Sequence, residues 1–353
     1  MVGSAMTRFG REGRTPADLA HEAATGALAA AGREPREVAA VFVGCRGTGS
    51  VPSADALSVR LGLRRCGLGR NDGRRPEHVT AAGAHAFHLG WRAIESGLHD
   101  LVLCLGAERL GAGAAVAEDL AALVRRGRAA RRYMAASGAT VEQLARVAAK
   151  NHRQGARNPA AGSACEVSVQ AVLDSDVVEW PLTRLMVAPR AAGAAAVVLA
   201  SRAGSGVPRV RASVLAAARD EPRAAQLAYA AAGLGPEDVD CAEVHDDTAA
   251  AELEAYEALQ LVPAGGGHEL VDTGFTALGG VLPVNMSGGL LSLGELDGAS
   301  GLAQVCELVR QLGAGAGVRQ VPGARVALAH SRGPGDTGGE ADRLVALTVL
   351  SSD

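Results

Sequence analysis

The sequence predicts an α/β fold that is built from two related halves. Helix and strand signals alternate along the chain, and the strands read as short, almost continuous apolar runs. This combination is typical of a parallel sheet that is covered by helices on both faces. In addition, "ALAAAGREPREVAAVFV" (27–43) resembles "AYAAAGLGPEDVDCAEV" (228–244), with the Ala-Gly pair and the following proline in register. Such internal similarity indicates a duplicated unit.

The first helix and strand have clear boundary signals. "TPADLAHEAATGALAAAG" (15–32) places Thr15 as N-cap and Pro16 in the first turn, and Gly32 ends the helix. "VAAVFVG" (38–44) follows as a β-rich run. The repeat therefore predicts the same helix, turn and strand in the second copy.

The next helix and strand come from "HVTAAGAHAFHLGWRAIESGLHDLVLCLGAERL" (78–110). We predict a helix over 81–96, which ends at Gly97, and a strand over 100–106, with a counterpart of the pair at 298–330. A turn of small residues that opens a helix often holds a nucleophile or an anion, and here it offers only Thr80. We place the two halves at 1–205 and 206–353.

The segment at about 109–190 has a looser pattern and is interpreted as an insertion in the first half rather than as core. It carries a run of basic residues: Arg125, Arg126, Arg128, Arg131 and Arg132. A solvated helix face is the first interpretation of such a run. Contact with the phosphates of a cofactor is the second.

Composition excludes several classes of partner. The formal net charge is −3 and only 3% of residues are aromatic, which argues against nucleic acid or an anionic membrane. No apolar run approaches the ~20 residues of a membrane span. The first residues lack the apolar core of a signal peptide, so we expect a cytoplasmic protein. The six cysteines form no CxxC pair or zinc spacing.

Four stretches together resemble the thiolase superfamily, in particular its sterol-carrier-protein-type branch. They are the opening of the 78–110 stretch, "KNHRQGARNP" (150–159), "EVHDDTAAAELEAYEALQL" (243–261) and "GGVLPVNMSGGLLSLGELDGASGLAQVCEL" (279–308). The resemblance covers nearly the whole chain. It implies a thiolase fold, in which two duplicated βαβ-type halves have sheets that sandwich central helices.

The chain departs from the family's motifs at three chemical positions. Where the family has Cys-Ala-Ser-Gly, with the acyl-carrying cysteine, this chain has Thr80 and the residues up to Gly83. Where the branch has His-Asp-Cys-Phe, it has His245, Asp246, Asp247 and Thr248. Where the family has Gly-His-Pro, Glu295 replaces the histidine.

These departures leave three functions open. A retro-aldol or Claisen-type reaction next to a thioester, without an acyl-enzyme, would use His245, Asp247 and Glu295 as acid/base groups. Thr80 would then cap the central helix and donate a hydrogen bond to the substrate. Acyl transfer through Thr80 itself would require a strong base beside the hydroxyl. The third function is that of a non-catalytic structural subunit.

Two other aldolase strategies are disfavoured by the sequence. A Schiff base would need Lys150, the only lysine, which lies in the ordinary "KNH" motif of the resemblance. A metal route would use His245, Asp246, Asp247 and Glu295, but neighbouring Asp246 and Asp247 would point apart on a regular strand. We therefore predict no metal site.

The resemblance also implies residues that line the substrate pocket and several partners. The pocket residues are Asn285, Gly288, Gly289, His152 and His330. The implied substrate is a thioester of coenzyme A or of an acyl-carrier protein, with no permanently bound cofactor. The implied assembly is a homodimer that pairs sheet edges, with a small OB-fold protein as a possible partner. In related aldolases the substrates are often steroid side chains.

Overall fold

The computed structural model describes residues 1–10, 13–45, 54–68, 77–80, 82–109, 115–163, 165–202, 204, 206–333 and 343–352, with backbone only at 77–80 and 115–119. The elements alternate along the chain as the sequence predicts. The strands are β1 Gly3–Met6, β2 Ala40–Gly44, β3 Glu77–Thr80, β4 Leu101–Glu108, β5 Val177–Glu179, β6 Leu182–Thr183, β7 Gly193–Ala200, β8 Arg209–Ala217, β9 Cys241–Glu243, β10 Val326–Arg332 and β11 Leu344–Ser351. The helices are α1 Pro16–Ala31, α2 Ala54–Arg65, α3 Gly83–Glu95, α4 Ala115–Ser137, α5 Val141–Gly155, α6 Val169–Leu173, α7 Glu221–Ala232, α8 Ala249–Ala258, α9 Glu269–Asp272, α10 Gly289–Leu293 and α11 Ser300–Leu312.

Two sheets share one topology. The first has the order β1-β7-β4-β2-β3, and the second has the order β8-β11-β10-β9. In each sheet the first two pairs of neighbours are antiparallel and the next pair is parallel. The sheets are therefore mixed, and the prediction of a parallel sheet was wrong for β1, β7, β8 and β11. Strands β7 and β11 run without alternating polar positions because helices cover both faces, so their sequence does not reveal their direction.

The repeat in the sequence corresponds to a repeat in structure. Helix α1 begins after Thr15, whose side chain accepts a hydrogen bond from the Asp18 amide, and it ends at Gly32 with φ 60°. Helix α7 ends in the same way at Gly233, with φ 69°. Left-handed glycines close helices without the steric penalty of a side chain. In both copies a 3-10 turn that begins with proline then leads into a strand.

The two central helices α3 and α11 pack between the sheets, while α1 and α2 cover the outer face of the first sheet and α7 covers the second. Glycines allow this close packing. A Cβ at Gly106 on β4 would lie 1.6 Å from the Gly298 carbonyl oxygen, and one at Gly83 would lie 2.3 Å from the same oxygen. The chain before α11 is therefore held against the end of β4 and the start of α3.

The strands of the first sheet lie between residues 3 and 200, and those of the second between 209 and 351. The division into halves at 205 stays a prediction. The insertion at 109–190 stays a prediction, but the expectation that it lies outside the core was wrong, because Leu144 and Val147 of α5 are fully buried in a core cluster with α7 and α8. None of the helices in the described part of the chain has both the length and the apolar character needed to cross a bilayer.

Candidate active site

The candidate site forms where two loops are fastened to the same stretch of chain. The Ala188 amide donates to the Asp247 carbonyl oxygen at 3.0 Å, and the Glu295 amide donates to the Pro189 carbonyl oxygen at 2.8 Å. Residues 188–189 therefore hold the loop that follows β9 beside the loop that follows α10. Thr248 caps α8 by accepting a hydrogen bond from the Ala251 amide.

This arrangement brings together three of the predicted catalytic side chains. One ligand-type atom from each of His245, Asp247 and Glu295 lies within 4.8 Å of the others. All three residues are at most 5% exposed. Adjacent Asp246 points elsewhere, because its carboxylate accepts hydrogen bonds from the Leu290 amide and the Asn151 side chain.

An arginine from α4 binds both carboxylates of the cluster. Arg126 Nε donates to Asp247 Oδ2 at 2.9 Å, and Nη2 donates to Glu295 Oε2 at 2.5 Å. The Arg126 side chain is only 16% exposed. The prediction of a solvated arginine face was thus wrong for Arg126, although Arg125, Arg128 and Arg132 on the same helix are exposed.

The arginine determines the charge of the carboxylates. Burial acts to raise the pKa of Asp247 and of Glu295, but the positive charge of Arg126 outweighs burial and holds both pKa values below the usual range. Both groups are therefore ionised near neutral pH. Their low pKa makes them poor proton donors, which differs from the acid/base role expected for them.

His245 is neutral and has unused hydrogen-bonding capacity. Burial lowers the pKa of its imidazole to about 3. Neither ring nitrogen has a hydrogen-bond partner among the residues that the structure describes. A buried polar group without a partner is costly, and native structures usually provide one. The ring is therefore a candidate for contact with a ligand.

A cavity of about 1160 Å³ opens on this cluster. Asp247 and Glu295 line it, whereas His245 is not among the described lining residues and lies next to those two carboxylates. Six arginines also line the cavity: Arg125, Arg126, Arg184, Arg190, Arg332 and Arg343. The space is large enough for a cofactor-sized ligand, and its wall is rich in cations.

The same three side chains could in principle hold a divalent metal, since they offer one nitrogen and two carboxylate ligands. Arg126 engages both carboxylates, so a metal ion would have to displace the guanidinium. Because Arg126 already binds both carboxylates, this arrangement does not favour a metal site.

Lys150 and Asn285 belong to a buried polar network around Glu252. Lys150 Nζ lies 2.6 Å from Glu252 Oε1 and donates to the Val284 carbonyl oxygen at 2.8 Å. Asn285 donates to Glu252 at 2.7 Å and accepts from the Val244 amide at 2.8 Å. Asn285 thus positions the segment that leads to His245 and is not a described lining residue of the cavity.

The predicted glycines pack against protein. A Cβ at Gly288 would lie 2.6 Å from the Gly155 backbone, and one at Gly289 would lie 2.1 Å from the Asp246 carboxylate. Their φ angles are 97° and 60°. They permit close packing against α5 and against Asp246, and their role as pocket residues stays a prediction.

The two predicted pocket histidines have different surroundings. His152 lines the cavity, and its ring nitrogens lie 3.1 Å from the Leu185 carbonyl oxygen and 3.4 Å from Ser292 Oγ. His330 is fully buried, and its Nε2 lies 3.0 Å from a Glu221 oxygen. The His245 amide donates to His330 Nδ1 at 3.3 Å. His330 therefore positions the backbone at His245 through this hydrogen bond.

Thr80 does not cap the central helix. It ends strand β3, where it pairs with Gly44, and the N-cap of α3 is Ala82 without a side-chain hydrogen bond. The cap prediction was wrong because α3 begins only at Gly83, with Ala82 as its N-cap. The side chain of Thr80 lies outside the described part of the structure, so its role as a nucleophile or hydrogen-bond donor stays a prediction.

The cavity arginines Arg126, Arg190 and Arg343 were not predicted as site residues. Arg126 was hidden in an arginine run that has the composition of a solvated face. Arg343 lies at the start of β11, and its position gave no signal. The six cavity arginines and the acidic residues Asp247 and Glu295 carry complementary charges. This complementarity becomes visible only when it is known which segments of the chain meet in the fold.

Comparison with known proteins agrees with this fold. Residues 210–339 match the family described as "Thiolase C-terminal domain-like". The chain is 34% identical over 374 residues to "Acetyl-CoA acetyltransferase" of Methanothermobacter thermautotrophicus, covering 97% of each chain. It is 32% identical over 384 residues to bovine "Sterol carrier protein 2", covering 95% of this chain and 70% of the relative.

A solved structure described as "Ltp2-ChsH2(DUF35) aldolase" superimposes with a TM-score of 0.79 and 22% identity, covering 99% of this chain and 96% of that one. Two sheets around two central helices and a cavity with a charged cluster define a thiolase-like protein. The chain belongs to the thiolase superfamily, and the predicted fold and its likeness to the sterol-carrier-protein branch are confirmed.

Proposed function

We propose that this protein binds an acyl thioester of coenzyme A in the cavity and breaks or forms a carbon–carbon bond next to the thioester without a covalent acyl-enzyme. The observation that carries the proposal is the buried imidazole of His245, which has no hydrogen-bond partner in the described part of the chain and lies beside two ionised carboxylates. A relative named as an acetyl-CoA acetyltransferase and a structural neighbour named as an aldolase support this class of substrate and reaction.

In the retro-aldol direction, His245 accepts one proton from the substrate and later returns it. The neutral ring accepts the proton of a β-hydroxyl group, and the oxygen becomes a carbonyl oxygen. The Cα–Cβ bond breaks, and its electron pair forms the thioester enolate. The imidazolium then returns the proton to Cα, which releases an acyl thioester together with an aldehyde or ketone. The balance requires no oxidant and no second co-reactant.

The neighbouring charges support this proton transfer. The ionised Asp247 and Glu295 favour an imidazolium electrostatically, although burial keeps the resting ring neutral. Arg126 would fix both carboxylates and place a cation near the developing enolate oxygen. In this proposal His245 moves the proton, while the carboxylates stabilise its charged form.

A non-catalytic subunit is the second candidate. Arg126 satisfies both carboxylates without any substrate, and His245 is not a described lining residue of the cavity. A chain kept for packing could have this arrangement. Acyl transfer through Thr80 remains a third prediction, and no described contact favours it.

The test is to incubate the wild-type protein and His245→Gln with a panel of β-hydroxyacyl-CoA thioesters and to follow product masses. We expect cleavage by the wild type and a loss of about 100-fold or more in the variant, the usual contribution of a general acid/base. His99→Gln, in the turn between α3 and β4, is the matched control and should retain activity.

Other outcomes would support the alternatives. An acyl adduct on Thr80 in the intact mass would favour acyl transfer. Silence towards every thioester, together with stable binding of a partner protein, would favour the structural subunit. Equal activity of wild type and His245→Gln would reject the role of the imidazole.

We also propose that the chain assembles as a homodimer and binds a small OB-fold partner. The name of the structural neighbour joins two components, which supports a partner complex. Light scattering of the purified protein should give the mass of a dimer. Co-expression with an OB-fold protein encoded nearby should yield a larger complex, and a monomer that gains no partner would contradict both expectations.

A further inference from the structure

Arg343 differs from the other arginines of the cavity in its contacts. It lies at the start of β11, lines the cavity and is half-buried. Its Nε donates to the Gly333 carbonyl oxygen at 3.4 Å. Among the described residues it has no carboxylate within salt-bridge distance. The two terminal amino groups of the guanidinium are therefore available for a ligand.

The other cavity arginines have either partners or solvent. Arg126 binds Asp247 and Glu295, and Arg190 Nη2 lies 3.0 Å from Glu108 Oε1. Arg332 binds Glu221 at 2.9 Å, and Arg184 lies 3.6 Å from Asp176. Arg125 is exposed to solvent. Among the described residues, Arg343 is the half-buried cavity arginine that has no carboxylate within salt-bridge distance, and an anion from a ligand would stabilise it.

The position of Arg343 indicates which part of the substrate supplies that anion. Its charge acts on both His245 and Asp247, so it lies near the reacting groups. In a coenzyme A thioester the phosphates are separated from the thioester by the long pantetheine arm. An arginine beside the reacting groups therefore faces the acyl part and not the phosphates of the carrier.

We propose that the substrate acyl group carries a carboxylate and that Arg343 binds this carboxylate through its terminal amino groups. The planar guanidinium matches a carboxylate with two parallel hydrogen bonds. Neither Asp247 nor Glu295 lies within salt-bridge distance of Arg343, and Arg126 donates to one oxygen of each carboxylate. The inference rests on the proposed function, and it narrows the substrate class to thioesters of dicarboxylic acids.

The test measures binding of two unreactive probes by calorimetry: the S-carboxypropyl thioether of coenzyme A and its carboxamide counterpart, which has nearly the same shape. The wild type should bind the carboxylate probe about 10–100-fold more tightly, as expected for charge-assisted hydrogen bonds. Arg343→Ala should bind both probes equally, and Arg343→Lys should keep part of the preference. Arg128→Ala removes an exposed arginine of α4 that is not among the described lining residues of the cavity, and this control should keep the full preference.

Each contrary outcome has a defined meaning. Equal binding of both probes by the wild type, or a preference that survives Arg343→Ala, would overturn the assignment. If neither probe binds, the proposed thioester function fails, and glutarate binding to the wild type and to Arg343→Ala then decides the inference separately. Glutarate bound by the wild type alone supports the carboxylate site, and no glutarate binding rejects it.

Discussion

Arg126 and Asp247 lie 121 positions apart in the chain, yet the Nε of one donates to the carboxylate of the other at 2.9 Å in an almost fully buried site. The contact joins α4 to the loop after β9. It explains why two acidic residues are tolerated beside a buried histidine. The positive guanidinium stabilises the two buried carboxylates, which have lost their hydration by water.

Loss of Arg126 should therefore destabilise the protein. Arg126→Gln leaves Asp247 and Glu295 buried without their cation, and we expect the free energy of unfolding to fall by about 3 kcal/mol. Urea denaturation at neutral pH measures the change. Arg128→Gln, on the exposed side of the same helix, should change it by less than about 0.5 kcal/mol. Similar stability of the two variants would mean that the pair contributes little.

The buried imidazole predicts a pH-dependent stability. The pKa of His245 is about 3 when folded, below its usual value of 6.5, so only the unfolded chain takes up the proton between these values. Stability should fall as the pH falls through this window, by up to about 1.4 kcal/mol per pH unit. The difference in unfolding free energy between wild type and His245→Gln should grow from about pH 4.5 to about pH 6.5 and then level off. A constant difference would contradict the assigned pKa.

The buried carboxyl group of Glu243 predicts the opposite dependence of stability on pH. Burial and the nearby Glu307 raise the pKa of Glu243 from its usual value of 4.5 to about 8. The folded state holds the proton between these values, so its stabilising effect is lost as the pH rises through the window. Glu243→Gln should gain stability relative to wild type between about pH 5 and about pH 8 in urea titrations. Exposed Glu269→Gln should show no such trend, and a flat difference for Glu243→Gln would show that Glu243 is already ionised at pH 5.

The close packing at Gly106 predicts a steric effect. Gly106→Ala would place a methyl group 1.6 Å from the Gly298 carbonyl oxygen, so the chain before α11 would have to move. We expect a loss of about 3 kcal/mol in unfolding free energy, at the upper end for overpacking. Gly10→Ala, where a Cβ meets nothing within 4 Å, is the matched control in thermal and urea unfolding. A stable Gly106→Ala protein would show that this segment adapts easily.

The local features of the fold were predictable from the sequence. Thr15, Gly32 and Gly233 act through their immediate neighbours, so their types alone gave the boundaries of α1 and the end of α7. The repeat at 27–43 and 228–244 predicted two copies of one unit, which appear as the strand order β1-β7-β4-β2 in the first sheet and β8-β11-β10-β9 in the second. Strand direction was not predictable, since an apolar strand covered on both faces has the same composition in either direction.

The sequence by itself determined the membership of the superfamily, the alternating elements and the meeting of His245, Asp247 and Glu295 that the motifs imply. Only the tertiary structure decided that Arg126 binds both carboxylates, that His245 is neutral, and that Arg343 has no carboxylate partner among the described residues. Charge state depends on burial and on distances between segments far apart in the chain. Those quantities exist only after folding, because electrostatic interactions act through space and not along the sequence.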